Sequence, residues 1–82
     1  MNDHQDSENF SYNRSWEEIE SLLHTAEQEQ NRHFIVMQRG NKKDRINHMR
    51  KYKGLQGVIN ALRWVLGDLK VNQNKVLGRN KE

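Results

Sequence analysis

Leu55-Gln56-Gly57-Val58-Ile59-Asn60-Ala61-Leu62-Arg63-Trp64-Val65-Leu66-Gly67-Asp68-Leu69 is the stretch whose periodicity sets the fold class. Leu55, Val58, Ile59, Leu62, Val65, Leu66 and Leu69 recur at three- and four-residue steps, the spacing of one helix face. Met49 and Ile46 continue that face upstream, so a helix is predicted over about 42–70, ending before Asn72-Gln73-Asn74. Gly54, Gly57 and Gly67 are its weak points, since glycine inside a helix costs roughly 1 kcal/mol relative to alanine. Gly54, Gly57 and Ala61 share one side, which favours close approach of another helix over a break at Gly54–Gly57. Trp64 lies roughly opposite the apolar stripe.

Upstream, Gly40-Asn41 reads as a turn. Gly40 is expected to end the preceding helix with positive φ, and Asn41 to cap the next one with Asp44 in its first turn. The preceding helix is predicted over about 15–39. Ser15-Trp16-Glu17-Glu18 fits a capping box, and its acids suit the positive end of the helix dipole. Trp16, Ile19, Leu22, Leu23 and Ala26 then form an apolar stripe, which thins through Gln28, Gln30 and Asn31 and resumes at Phe34 and Met37. Residues 1–14 show no apolar period and read as a disordered acidic, polar arm; residues 71–82 read as a flexible tail.

The prediction is therefore all-α: an antiparallel two-helix hairpin. Counting outward from the turn sets Phe34 and Met37 against Ile46 and Met49, Leu23 near Ile59, Ile19 near Leu62, and Trp16 near Leu66. Trp16, Ile19, Leu23, Leu55, Ile59, Leu62 and Leu66 are the expected core and oligomer residues. One hairpin cannot cover so wide a face, and exposed apolar patches mark interfaces. Pairing of two hairpins into a four-helix bundle is expected, with a homodimer as the first choice of oligomer.

Composition narrows the function classes. The 82 residues are 33% hydrophobic and 30% charged, with neither cysteine nor proline. Mean hydropathy is −1.17. A chain this small is marginal even with a good core. It has no apolar run of membrane-spanning length, and its acidic, polar start is unlike a secretory signal. Without cysteine, disulfides, thiolate metal sites and cysteine nucleophiles are excluded.

Charge is split along the chain. Residues 1–30 hold eight acids against Arg14, whereas 31–82 hold thirteen bases against three acids. The densest block is Arg39, Lys42, Lys43, Arg45, Arg50, Lys51 and Lys53, with Asp44 its single acid. The hairpin puts this block at its tip, away from most acids. It can serve nucleic acid, an acidic protein surface or an anionic membrane face, of which the membrane is not expected as a partner. Tyr52, set among Arg50, Lys51 and Lys53, would act as a stacking platform in the second case. No nucleic-acid-binding motif accompanies the charge, so protein docking through the tip or the Trp64 flank is the leading expectation.

No catalytic, cofactor or metal constellation is readable. Gly54-Leu55-Gln56-Gly57 lacks the lysine and the preceding strand of a phosphate loop. The acids of the first helix lie on an exposed face, where capping and solvation explain them. His33 and His48 approach each other across the hairpin near the tip, but cations surround them and no carboxylate cluster does, which disfavours a metal. His24, beside Leu23, is placed at the bundle interface. The chain is expected not to be an enzyme and to need no cofactor.

The run Tyr52-Lys53-Gly54-Leu55-Gln56-Gly57-Val58-Ile59-Asn60-Ala61-Leu62-Arg63-Trp64-Val65-Leu66-Gly67-Asp68, following the helix start Trp16-Glu17-Glu18-Ile19-Glu20, resembles small helical proteins encoded by tailed bacteriophages. The resemblance covers 15–70 loosely and transfers no functional residue. It implies a non-enzymatic protein that binds a viral or host protein, in virion assembly or in host modulation, and acts in the host cytoplasm or the virion.

Overall fold

The structure is a computed structural model and describes residues 13–79. The expected arm lies outside the described residues except for Asn13 and Arg14. The described chain is helical: α1 spans Trp16–Arg39, α2 spans Lys42–Val65 and a short α3 spans Gln73–Val76. The long helices pack on each other as a hairpin, each about 36 Å long at 1.5 Å per residue.

Each boundary has a local cause. Ser15 accepts from the Glu18 amide and the Glu18 carboxylate accepts from the Ser15 amide, both at 3.0 Å, which completes the capping box. Asn41 caps α2 by accepting from the Asp44 amide at 2.9 Å. Such a cap contributes about 1 kcal/mol.

The turn between α1 and α2 departs from expectation. Gly40 has φ −83° and ψ 168°, an extended conformation, not a left-handed one. Its N–H donates to the Val36 carbonyl while Asn41, next to it, already caps α2. Two linker residues leave no room for an additional left-handed residue. Glycine suits the position because a Cβ there would sit 2.9 Å from the Asp44 Cβ.

The end of α2 also differs. The helix stops at Val65, about a turn before the expected boundary. Gly67 takes φ +90°, its N–H donates to the Trp64 carbonyl, and the Asp68 N–H donates to the Arg63 carbonyl. That pair of bonds is a Schellman motif, which needs a left-handed residue at the glycine. Gly67 is therefore a stop signal, not an interior flaw. The same pattern closes α3: Gly78 has φ +75°, its N–H donates to Lys75, and that of Arg79 to Asn74.

Gly54 and Gly57 do not interrupt α2, which is continuous through both. Nor do they admit a close neighbour within the hairpin, because a Cβ at either would meet nothing within 4 Å.

The core is small. Ala26, Ile59 and Val71 are the buried hydrophobic residues among those described. Val71 and α3 fold back on α2, so the segment after residue 70 contributes to packing where a flexible tail is expected. Asn60 holds α3 by donating to the Lys75 carbonyl at 3.4 Å.

Candidate interaction surfaces

Three regions of the hairpin differ in chemistry: the open end, the middle seam and the tip.

At the open end, large apolar side chains face solvent. Trp16 is 60% exposed, Leu22 53% and Leu69 99%. The expected burial of Trp16 against Leu66 is not met within one chain. The register that sets His33 against His48 and Ile19 beside Leu62 puts Trp16 level with Val65, the last residue of α2, where the helix gives way to the Gly67 turn. Of the other expected core residues, Ile59 is buried, while Ile19, Leu23, Leu55, Leu62 and Leu66 are half-buried. Ile19, Leu22 and Leu62 line a shallow groove with Arg14 and Glu18. A second groove, beside α3, is lined by Trp64, Gln73, Val76 and Leu77.

The middle seam is polar. Gln30 Nε2 donates to Gln56 Oε1 at 2.8 Å and to the Tyr52 carbonyl at 3.3 Å, and Gln56 Nε2 donates to Asn60 Oδ1 at 3.1 Å. Arg63 pairs with Glu27 and, at 3.5 Å, with Asp68. These partners are partly solvated, so the pairs contribute at most about 1 kcal/mol. Among the described residues no buried side-chain nitrogen or oxygen lacks a partner. This ladder escaped the sequence reading. Its signal was the stripe itself, since Ile19, Leu23, Ala26, Gln30, His33 and Met37 keep helical steps without a gap, with polar residues at the fourth and fifth places.

Toward the tip, the buried residue is His33, at 6% exposure, and it faces His48 across the seam. The expected apolar layer does not form there: Phe34, Ile46 and Met49 remain 39%, 38% and 40% exposed. Phe34 instead sits against Tyr52, ring centroids 6.0 Å apart. Tyr52 is half-buried, so part of its ring is engaged by Phe34 and part stays accessible. Burial, then the neighbouring Arg32, His48 and Lys51, push the His33 pKa below the ordinary 6.5, against a smaller opposing pull from Glu29. A hydrogen bond and the charge of Arg32 hold the Glu29 carboxyl below its usual value.

Arg39, Lys42, Lys43, Arg45, Arg50, Lys51 and Lys53 are all exposed. Among the described residues none of the seven pairs with a carboxylate. The basic block is thus assembled at the tip, and Trp64 lies far from it, near α3. The described residues hold no group of three or more histidines and acids able to bind a metal. No described helix is long and apolar enough to cross a membrane. Compared with known proteins, the chain matches no family model, no curated protein and no solved structure.

Proposed function

We propose that this chain is a non-enzymatic assembly and docking module. Two hairpins pair through the apolar open end into a four-helix bundle, leaving the basic tips free to dock an acidic surface on a protein partner. The observation that carries this reading is the imbalance at the open end: Trp16, Leu22, Trp64 and Val65 are about half exposed or more, while just three hydrophobic residues are buried among those described. Hydrophobic surface removed from water stabilises at roughly 25 cal/mol per Å², so a second copy gains most by covering this end. The resemblance to small phage proteins supports a virion or host protein as the partner, met in the host cytoplasm or the virion.

Sedimentation across micromolar concentrations tests the assembly. A concentration-dependent dimer, loosened by Leu62→Ala, is expected; a monomer throughout overturns it. The unpaired bases favour a second reading, nucleic-acid binding. That reading requires affinity falling steeply with salt, with a log–log slope near −0.9 per phosphate neutralised on duplex DNA. The lack of a nucleic-acid-binding motif beside the charge ranks it second.

A further inference from the structure

The seam between α1 and α2 contains a part-buried contact between two titratable rings. Nδ1 of His33 lies 2.8 Å from Nδ1 of His48, with the rings tilted by 39°. Two imidazole nitrogens at this distance share one proton: one donates and the other offers a lone pair. The other nitrogen of His33 sets the direction. Its Nε2 lies 3.5 Å from Arg32 Nη2, and a guanidinium has N–H groups alone to offer. This contact favours the tautomer in which neutral His33 carries its proton on Nδ1 and donates to Nδ1 of His48, with the proton of His48 on Nε2. Glu29 Oε1 accepts from the same Arg32 nitrogen at 2.8 Å and stands 4.0 Å from His33 Nε2.

We propose that His33 and His48 form a pH-sensitive clasp that holds the hairpin tip closed at neutral pH and releases it in mild acid. An added proton has two places to go. On His33 Nε2 it faces the Arg32 guanidinium. On His48 Nδ1 it converts the acceptor into a donor, so His33 must move its own proton to Nε2, again toward Arg32. With both rings charged, both Nδ1 atoms are donors and the bond cannot exist. The charged groups around the pair make this worse: Arg32 from α1 and Lys51 from α2 repel a charged His33, and Glu29, already engaged by Arg32, is the one opposing charge acting on it among the described residues.

The lowered pKa of His33 agrees with this geometry and gives the sign. In the closed hairpin His33 binds a proton less readily than a free imidazole at 6.5. Its contribution to closure is whole above that value and is lost as the pH falls through the lower, folded value. Past the clasp, the tip is held by the Asn41 cap and by side chains of which none is fully buried, Val36 and Met37 being half-buried and the others exposed. The Gln30–Gln56–Asn60 ladder behind it contains no group that titrates in this range. Acid therefore opens residues 34–47 while the middle seam holds. The clasp belongs to the hairpin itself and does not depend on what the tip docks.

Nuclear magnetic resonance on the full chain tests it. Long-range proton–nitrogen correlations report the ring tautomers at pH 8, and amide exchange over 36–46 reports tip opening between pH 7.5 and 5. The expected result is a proton on Nδ1 of His33 and on Nε2 of His48. Tip exchange, corrected for its intrinsic pH dependence, should rise about tenfold for each pH unit separating the closed and open titrations of His33. His48→Gln offers an acceptor that does not titrate and should leave a shallower pH dependence. His33 protonated on Nε2 at pH 8, or tip exchange flat across this range, overturns the proposal; both readouts come from the unsubstituted chain, so a variant that fails to fold does not remove the test.

Discussion

At the open end, Ile59 and Val71 are 3% and 6% exposed and the helices meet through aliphatic side chains. Toward the tip, the buried residue is an imidazole, and its nitrogen–nitrogen hydrogen bond to His48 joins the Asn41 cap, the Phe34–Tyr52 contact and the half-buried Val36 and Met37 in holding the chain. Apolar contact has no direction, so an open end that is incompletely covered accepts any surface of suitable shape, including a second copy. Hydrogen bonds are directional and saturable. The tip therefore satisfies its own polar groups and leaves its charge outward. On the proposed reading, one end is completed by apolar contact and the other presents a field.

The difference is tested first where the core is most concentrated. Ile59→Ala should cost about 2–5 kcal/mol, a large share of the stability of a domain this small. Thermal melts followed by circular dichroism should show most of the helix lost or a strongly lowered midpoint. A cost below about 1 kcal/mol would mean that the hydrophobic end does not dominate, and that the polar seam carries the hairpin.

Three glycines give the next, smaller set of effects. Gly67 sits at φ +90° in the Schellman motif, so Gly67→Ala should destabilise by about 1–2 kcal/mol. Gly54 lies in the helix interior with nothing near its added Cβ, so Gly54→Ala should stabilise an isolated hairpin by up to about 1 kcal/mol. Gly57→Ala should do the same. If a second copy packs closely on that face, the two alanine variants should instead raise the dimer dissociation constant. Chemical denaturation and sedimentation of the same samples separate these outcomes.

The two long helices, their N-caps, the antiparallel pairing and the approach of His33 to His48 could be read from residue spacing, because spacing is what periodicity encodes; α3 and its Asn72 cap could not. Less readable was anything decided by a choice among equivalent roles. Gly40 and Gly67 are both followed by polar residues, yet Gly67 alone adopts the left-handed state. At Gly40 the adjoining Asn41 starts a new helix at once, whereas after Gly67 the chain turns back before α3. Trp16 keeps perfect helical spacing with Ile19 and Leu23, but spacing does not reveal that α2 has ended by its level. Gln30, Gln56 and Asn60 interrupt apolar stripes and look like weakenings. Their mutual hydrogen bonds become visible once both helices are in register. The basic block was the easiest feature to find, since its residues crowd one end of α2 and the turn before it.

The smallest effect on the fold, and the sharpest on the comparison, should come from that block. Lys42, Lys43 and Lys53 are exposed and pair with no carboxylate among the described residues. Reversing all three to glutamate should change stability by no more than about 0.5 kcal/mol per site. Lys42 and Lys43 lie in the first turn of α2, where a negative charge also suits the helix dipole, so the net change should lean toward stabilisation. Assembly through the open end should be untouched, and sedimentation of the reversed chain should match that of the parent. Association with an acidic protein partner should slow, because charges at the rim of an interface act mainly on the on-rate. That slowing should fade as salt rises past about 150 mM, where the Debye length is near 8 Å. A reversed chain that melts far lower or fails to dimerise would show that the tip's charge is part of the fold, and the division between a completing end and a presenting end would not hold.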